Sequence, residues 1–172
     1  GSLLPRLRGS CPIETAILND EKVTGVTIMR MDKEMDHGPI IAQKEVIVNP
    51  WPPTADMLGK AIVEAGSELL ILILPDWING KLKEIEQDHT LATYTEMIKK
   101  EYGLIDLKDN PYKNYLKIQA YHGWPSAFFF IKKDEKKIRI KITQASFENG
   151  ILTIEKVIPE GKSEINYSDL NI

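Results

Sequence analysis

The sequence predicts an α/β segment followed by a small β-rich domain. In the first half, runs with helical spacing alternate with β-branched runs, as expected where helices pack on a sheet. In the second half, β-rich runs follow one another across tight turns, which is typical of a small antiparallel barrel. These three runs are Ser126–Lys133, Lys136–Phe147 and Gly150–Pro159.

The first half opens with a loop and a short helix. Pro12 stands at a favoured first helical position, and apolar residues follow it at helical spacing, so we predict a helix over Cys11–Leu18. Two β-branched runs, Val23–Met31 and Ile40–Val48, are bounded by polar turns and predict strands.

A long amphipathic helix is predicted after the second strand. Thr54 is a suitable N-cap, and apolar residues follow at helical spacing. We expect this helix to reach about Leu74, with a further turn that Gly80 ends.

The second half begins after a polar stretch. Periodicity is weak from Lys81 to about Ile105, which marks a candidate linker. Asn110–His122 predicts a helix with Pro111 near its start. In the run that follows Lys136, isoleucines alternate strictly with basic residues and threonine, so one face of that strand should be buried.

Composition places the protein among ordinary globular proteins. The 172 residues are 42% hydrophobic and carry a net charge of −3, with −5 on residues 1–88 and +2 on residues 89–172. The single cysteine, Cys11, excludes an internal disulfide framework and is most simply a small packing residue. No signal peptide is visible, and the longest apolar run, Leu69–Pro75, is too short to span a bilayer. We therefore expect a cytoplasmic protein without a membrane or DNA partner.

Several motifs together resemble those of the methionyl-tRNA formyltransferases. They are "SLLPRLRG" (Ser2–Gly9), "TGVTIMRMDKEMDHG" (Thr24–Gly38), "ATYTEMIKKEYGLIDL" (Ala92–Leu107), "GWPSAFF" (Gly123–Phe129) and "IPEGKSEINYSDL" (Ile158–Leu170). The resemblance extends over nearly the whole chain. The first motif is shared with sugar-nucleotide formyltransferases, whereas the predicted barrel and its Pro-Glu-Gly-Lys ending favour the tRNA enzymes.

The resemblance implies an architecture and an activity. Residues 1–88 would be part of a Rossmann-like formyltransferase domain, residues 89–105 a linker, and residues 106–172 an OB-like tRNA-binding domain. The family transfers a formyl group from 10-formyltetrahydrofolate to the amino group of methionyl initiator tRNA, in translation initiation. Folate would contact the loop formed by Ser2, Leu3, Leu4 and Pro5.

The resemblance also implies the catalytic residues. The family uses an Asn and a His, in an Asn-x-His motif immediately before this loop, and an Asp that corresponds to Asp36. Since this chain contains no such motif, we expect it to be inactive by itself.

Asp36 has a role that follows from the chemistry. Formyl transfer to an amine passes through a tetrahedral oxyanion, and the amine must lose a proton. An Asp can orient the His and support that deprotonation. Without the resemblance, Asp36 would be read as an ordinary turn residue before Gly38.

The three histidines suggest no further chemistry. His37 stands where the family has a small hydroxyl residue, and we expect it to be solvated and to point away from Asp36. His89 and His122 lack ligand spacing, so we expect structural or exposed side chains and no metal.

Basic residues mark candidate tRNA contacts. Arg6 and Arg8 flank the predicted folate loop, although they are nearly as well explained as surface arginines. The run Ile131–Ile142 is a charged hairpin, which suits phosphate contacts on an RNA-binding barrel but would otherwise be a solvated face. The remaining tRNA candidates are Lys99, Lys100, Lys132, Lys133, Lys136, Lys137, Arg139 and Lys141.

The aromatic residues near the hairpin are not among these candidates. We expect Trp124-Pro125 and Phe128–Phe130 to pack in the core.

Two other functions remain open. The chain could be a non-catalytic tRNA-binding module, or part of a sugar-nucleotide N-formyltransferase. Half of a Rossmann-like sheet would also expose a strand edge and an apolar face, so self-association through residues 1–88 is expected.

Overall fold

The structure, a computed structural model, describes residues 1–133 and 135–170. The chain divides into two compact units, Gly1–Met97 and Ile98–Ile172. The predicted linker, residues 89–105, thus contributes residues to both units.

The first unit contains two small pairs of strands and two α-helices. β2 (Thr24–Met29) and β3 (Ile40–Val46) are antiparallel, with Thr24 opposite Val46. β1 (Arg8–Gly9) and β4 (Tyr94–Thr95) are parallel. The helices are α1 (Pro12–Leu18) and α2 (Ala55–Ile78), and a 3₁₀ turn spans His89–Leu91.

Helix α2 begins as predicted, and the further turn expected after Leu74 continues it to Ile78. The Thr54 side chain accepts a hydrogen bond from the Met57 amide and caps the helix. Pro75 does not end α2, because a proline removes only one hydrogen bond and the surrounding turns continue the helix. The helix ends at Ile78, just before Gly80 with φ +69°.

The core of the first unit lies between α2, α1 and the β2–β3 pair. Gly66 permits close packing, since a Cβ there would lie 3.0 Å from Val26 Cγ2. Residues on another face of α2 stay exposed, among them Val63, Ile71 and Ile78. The buried residues include Ala16, Ile17, Val26, Leu58, Ile62 and Ala65.

The polar stretch after α2 returns to the first unit. Ile85 and Ile40 exchange two backbone hydrogen bonds of 2.8 Å, and the Arg8 amide donates to Thr93 O at 2.8 Å. Neither contact was predicted, because a single bridge and a two-residue strand leave no periodic pattern in the sequence.

The second unit is an antiparallel sheet packed with one helix. The strands are β5 (Phe128–Lys133), β6 (Lys136–Glu148), β7 (Ile151–Pro159) and β8 (Ile165–Asn166), paired in that order. α3 (Pro111–Ala120) is capped by Asn110, and short 3₁₀ turns span Lys100–Gly103 and Tyr167–Asp169. The core includes Ile105, Ile118, Phe129, Ile140, Ile142 and Val157.

The alternation predicted for β6 is confirmed. Ile140 and Ile142 are buried and Ile138 packs against the same core. The predicted barrel, however, appears as an open sheet. Among the described residues, β5 and β8 form the two ends of the sheet, and β5 has one further bridge, from Phe128 to Leu104.

Candidate functional site

The turn between β2 and β3 carries Asp36 to Gly9, at the end of the Ser2–Gly9 motif that begins with the predicted folate loop. Asp36 has φ +54°, and its Oδ2 accepts a hydrogen bond of 2.8 Å from the Gly9 amide. Two segments that were selected separately in the sequence therefore meet in one place.

The loop of Ser2–Pro5 is attached to the β2–β3 pair. Thr27 Oγ1 donates to Ser2 O at 2.7 Å and accepts from the Leu4 amide at 3.0 Å. Gln43 Nε2 donates to Leu4 O at 2.8 Å. Ser2 and Leu4 are buried, whereas Leu3 and Pro5 are partly exposed and could contact a ligand.

Arg8 is not placed for the tRNA contact that the sequence analysis suggested. It is only 2% exposed, and its Nη2 donates to Gln87 Oε1 at 2.6 Å and to His89 Nδ1 at 2.9 Å. A guanidinium enclosed in this way cannot reach a phosphate. Arg6, in contrast, is exposed and pairs with Glu21 at 2.9 Å.

Gln87 is a site residue that the sequence analysis missed. It is 5% exposed, and its Nε2 donates to Asp36 O at 3.0 Å and to Gly38 O at 2.6 Å. It lies in the polar stretch after α2, far from Asp36 in sequence, and no local pattern distinguishes it from its solvated neighbours.

His37 is not the solvated residue that we expected. Its ring stacks on that of His89, with centroids 4.0 Å apart and planes within 5°. His37 Nδ1 also lies 2.7 Å from Asp32 Oδ2. This hydrogen bond, together with one from the Glu34 amide, holds the pKa of Asp32 below its ordinary 3.8.

The protonation of His89 follows from its partner. A guanidinium can only donate, so His89 Nδ1 accepts from Arg8 and carries no proton in this arrangement. Among the described residues, no group of three His, Cys, Asp or Glu side chains could hold a metal ion. No helix within the same residues is long and apolar enough to cross a bilayer.

The basic residues of β5 and β6 divide between the two faces of the hairpin that these strands form. Phe128 pairs with Lys141, Phe130 with Arg139 and Lys132 with Lys137, so these six side chains share a face. We call the four cations among them, Lys132, Lys137, Arg139 and Lys141, the basic strip. Lys133 and Lys136 pair on the other face.

Aromatic rings accompany the basic strip. Lys137 Nζ lies 4.1 Å from the centre of the Phe130 ring, and the Arg139 guanidinium lies 5.1 Å from that of Phe128. Phe128 and Phe129 are buried as expected, but Phe130 is 38% exposed. Trp124 is 62% exposed, so its predicted core position is wrong. Lys99 and Lys100 are exposed.

Comparison with known proteins identifies the class first. Residues 1–74 match the family model described as formyl transferase. This segment, which contains the Ser2–Gly9 loop, Asp36 and most of α2, is therefore of the formyl transferase type.

The particular relatives are methionyl-tRNA formyltransferases. The chain is 44% identical to that of Thermotoga neapolitana over 153 residues, which are 88% of this chain and 49% of the relative. It is 35% identical to that of Nitratidesulfovibrio vulgaris over 160 residues, or 92% of this chain and 48% of the relative. The predicted resemblance is confirmed, and the chain is related to these proteins over most of its length. It spans about half the length of the curated relatives.

Solved structures have the same fold. The methionyl-tRNA formyltransferase from Clostridium thermocellum matches with a TM-score of 0.69 and 23% identity, covering 92% of this chain and 65% of that one. A 4-N formyltransferase from Francisella tularensis matches with a TM-score of 0.65 and 28% identity, covering 79% of this chain and 57% of that one.

Proposed function

We propose that this chain supplies one part of a methionyl-tRNA formyltransferase. In this role it would help transfer the formyl group of 10-formyltetrahydrofolate to the amino group of methionyl initiator tRNA. The observation that carries the proposal is the hydrogen bond between the Gly9 amide and Asp36 Oδ2, since it joins the Ser2–Gly9 motif to the candidate catalytic aspartate.

Asp36 would act on the attacking amine. A carboxylate can accept several hydrogen bonds, so the bond from Gly9 leaves acceptor capacity for a histidine or an ammonium group. An amine proton passes to the Asp36 carboxylate, directly or through the family's histidine, and the neutral amine attacks the formyl carbon. The tetrahedral oxyanion then needs donors, a role that the resemblance gives to the Asn-x-His motif. When this intermediate collapses, the bond between the formyl carbon and N10 of the folate breaks, and N10 takes up a proton so that tetrahydrofolate leaves.

The isolated chain would not complete this reaction. Its 172 residues contain no Asn-x-His sequence, so Asp36 alone of the three family residues is present. We therefore propose that the 172-residue polypeptide binds substrate elements without catalysing transfer. Measurable formylation of methionyl-tRNA by this polypeptide would contradict that statement.

The second unit would hold the tRNA. We propose that residues 106–172 form an OB-like RNA-binding domain and that the basic strip contacts phosphates. Four cations on one face suit a sequence-independent backbone contact. Lys99 and Lys100 are exposed and would be secondary contacts.

A hybrid enzyme tests the catalytic proposal. In the Thermotoga neapolitana enzyme, the matched half would be replaced by this chain, and formylation of initiator methionyl-tRNA would be measured. We expect activity, and a loss of about 100-fold or more with Asp36→Asn, which is the range of a general acid–base contribution. A hybrid that melts cooperatively and binds folate, yet does not formylate the tRNA, would overturn the proposal.

A sugar-nucleotide acceptor is the second candidate. It is favoured by the Ser2–Gly9 motif, which the resemblance shares with sugar-nucleotide formyltransferases. The same hybrid decides between the two acceptors: preferential formylation of an amino-sugar nucleotide would support the second candidate, whereas a preference for methionyl-tRNA would support the first.

A further inference from the structure

We propose that Arg8 and Gln87 are positioning residues that hold Asp36 in its reactive place. This inference rests on the proposed function, because it assumes that Asp36 takes part in formyl transfer. Neither residue is expected to touch the substrate: Arg8 is 2% exposed and Gln87 is 5% exposed.

The Gln87 amide fixes the backbone of the Asp36 turn. Its Nε2 donates to Asp36 O at 3.0 Å and to Gly38 O at 2.6 Å, so it ties together both ends of the Asp36–Gly38 segment. Its Oε1 must face Arg8, because the guanidinium at 2.6 Å can only donate. Arg8 therefore sets the orientation of the amide, and the amide holds the turn.

A second contact fixes the Asp36 carboxylate. The Gly9 amide donates to Asp36 Oδ2 at 2.8 Å, and Gly9 is the residue after Arg8. The Gly9 backbone is itself confined: its φ is +114°, and a Cβ there would lie 2.8 Å from Thr95 Oγ1. The Gln87 amide thus holds the main chain of Asp36 and is itself bound by the Arg8 guanidinium. The amide of Gly9, the residue after Arg8, holds the Asp36 carboxylate.

This arrangement is not explained by stability alone. Asp36 has φ +54°, a conformation that is uncommon outside glycine and needs surrounding contacts to persist. Arg8 is buried with neutral partners, and its Nε has no hydrogen-bond partner within the described residues. Burying a charge without a counter-charge is unfavourable. We infer that these groups persist because of the Asp36 geometry that they impose.

Amide hydrogen exchange in the 172-residue chain tests the proposal directly. Gln87→Met keeps the length of the side chain and removes its three hydrogen bonds. We expect exchange of the Gly9 amide to accelerate about tenfold or more, as for the loss of one to two hydrogen bonds. The amides that join β2 to β3 should keep their protection and report that the unit remains folded.

Gln43→Met provides a matched control. This amide belongs to the same unit and donates to Leu4 O and Thr27 Oγ1, at 2.8 Å and 2.9 Å. Its loss frees the Leu4 carbonyl and loosens Thr27 Oγ1, which accepts from the Leu4 amide, so exchange of the Leu4 amide should accelerate while the Gly9 amide stays protected. Equal acceleration at Gly9 in both variants would indicate general loosening and overturn the proposal.

Gln87→Glu makes the protection of the Gly9 amide depend on pH, which a general loss of packing would not do. When ionised, the introduced carboxylate keeps an acceptor for Arg8 but opposes two carbonyl oxygens, so the Gly9 amide should be poorly protected near pH 7. Once protonated, the same carboxyl can donate one hydrogen bond. Relative to the unaltered chain at each pH, Gly9 protection should therefore recover as pH falls. Wild-type protection at every pH in both Gln87 variants would overturn the proposal.

The two proposals can fail separately. The exchange experiment involves no formyl transfer, so an inactive hybrid enzyme leaves the measured Gly9 protection unchanged. Conversely, an active hybrid in which Gln87→Met leaves kcat, KM and the pH profile unchanged would overturn the positioning role and keep the proposed function. We expect kcat to fall and KM for folate to change little, since neither residue lies at the exposed part of the loop.

Discussion

The imidazole rings of His37 and His89 stack with centroids 4.0 Å apart, although the two residues lie far apart in sequence. His89 also accepts a hydrogen bond from Arg8, and His37 is the residue after Asp36. The stack therefore lies beside the Arg8–Gln87 contacts. Together with the two hydrogen bonds from Gln87 to Asp36 O and Gly38 O, it connects the Asp36 turn to the stretch after α2.

The tautomer of His89 is the first prediction. Because Arg8 donates to its Nδ1, the His89 proton should reside on Nε2 at neutral pH. Long-range nitrogen–proton NMR spectra distinguish the two nitrogens. An Nδ1-protonated His89 would contradict the arrangement, and Arg8→Met, which removes the donor, should let both tautomers appear.

Asp32 should titrate below its ordinary value. His37 and the Glu34 amide stabilise its charged form and lower its pKa from 3.8. The resulting stabilisation is fully present above the unfolded pKa and is lost as pH falls through the lower, folded pKa. Carbon NMR of the Asp32 carboxyl should show this midpoint, and His37→Gln should move it upward. An unchanged midpoint would exclude a significant contribution from His37.

The first unit should depend strongly on Leu58. The Leu58 side chain belongs to α2 and is fully buried in the core of the first unit. Leu58→Ala therefore removes packing and leaves a cavity. We expect the free energy of unfolding to fall by about 2–5 kcal/mol in urea denaturation followed by circular dichroism. Val63→Ala, on the exposed face of the same helix, should change it by less than about 0.5 kcal/mol.

RNA binding should distinguish the two faces of the β5–β6 hairpin. Lys137→Ala removes a cation of the basic strip, whereas Lys136→Ala removes the neighbouring lysine on the opposite face. In filter binding of initiator tRNA to the 172-residue chain, Lys137→Ala should reduce the slope of log K against log salt by about 0.7–0.9. Equal effects of both substitutions would contradict a contact through one face.

Self-association through the first unit stays a prediction. Val63, Ile71 and Ile78 expose between 67% and 75% of their surface on α2. Apolar residues grouped in this way favour pairing with a second apolar surface. Sedimentation of the 172-residue chain should show a concentration-dependent dimer that Ile71→Glu abolishes. A monomer at every concentration would contradict it.

Local patterns predicted most of the secondary structure. The N-cap Thr54, the prolines near the starts of α1 and α3 and the alternation in β6 each act within a few residues, and each appears as expected. The Asp36 turn and the Ser2–Gly9 loop were also found, since their motifs are local.

The remaining features depend on contacts between distant residues. Arg8 was interpreted as a candidate tRNA contact or a surface arginine, because nothing near it in the sequence indicates that Gln87 and His89 enclose it. The exposure of Trp124 and the open sheet also follow from tertiary packing, which periodicity does not describe.

The parallel pairing of Arg8 with Tyr94 also has a consequence for the order of folding. We expect contacts that close loops of this length to form after the helices and the β2–β3 hairpin, because the chain must first lose the entropy of the intervening segment. A nascent chain that ends near residue 88 would already contain Asp36 and Gln87 but would lack Tyr94 and Thr95. Its Asp36 site would stay incomplete until the residues of β4 had been added. Completion of the site therefore depends on Tyr94 and Thr95, which lie at the end of the first unit.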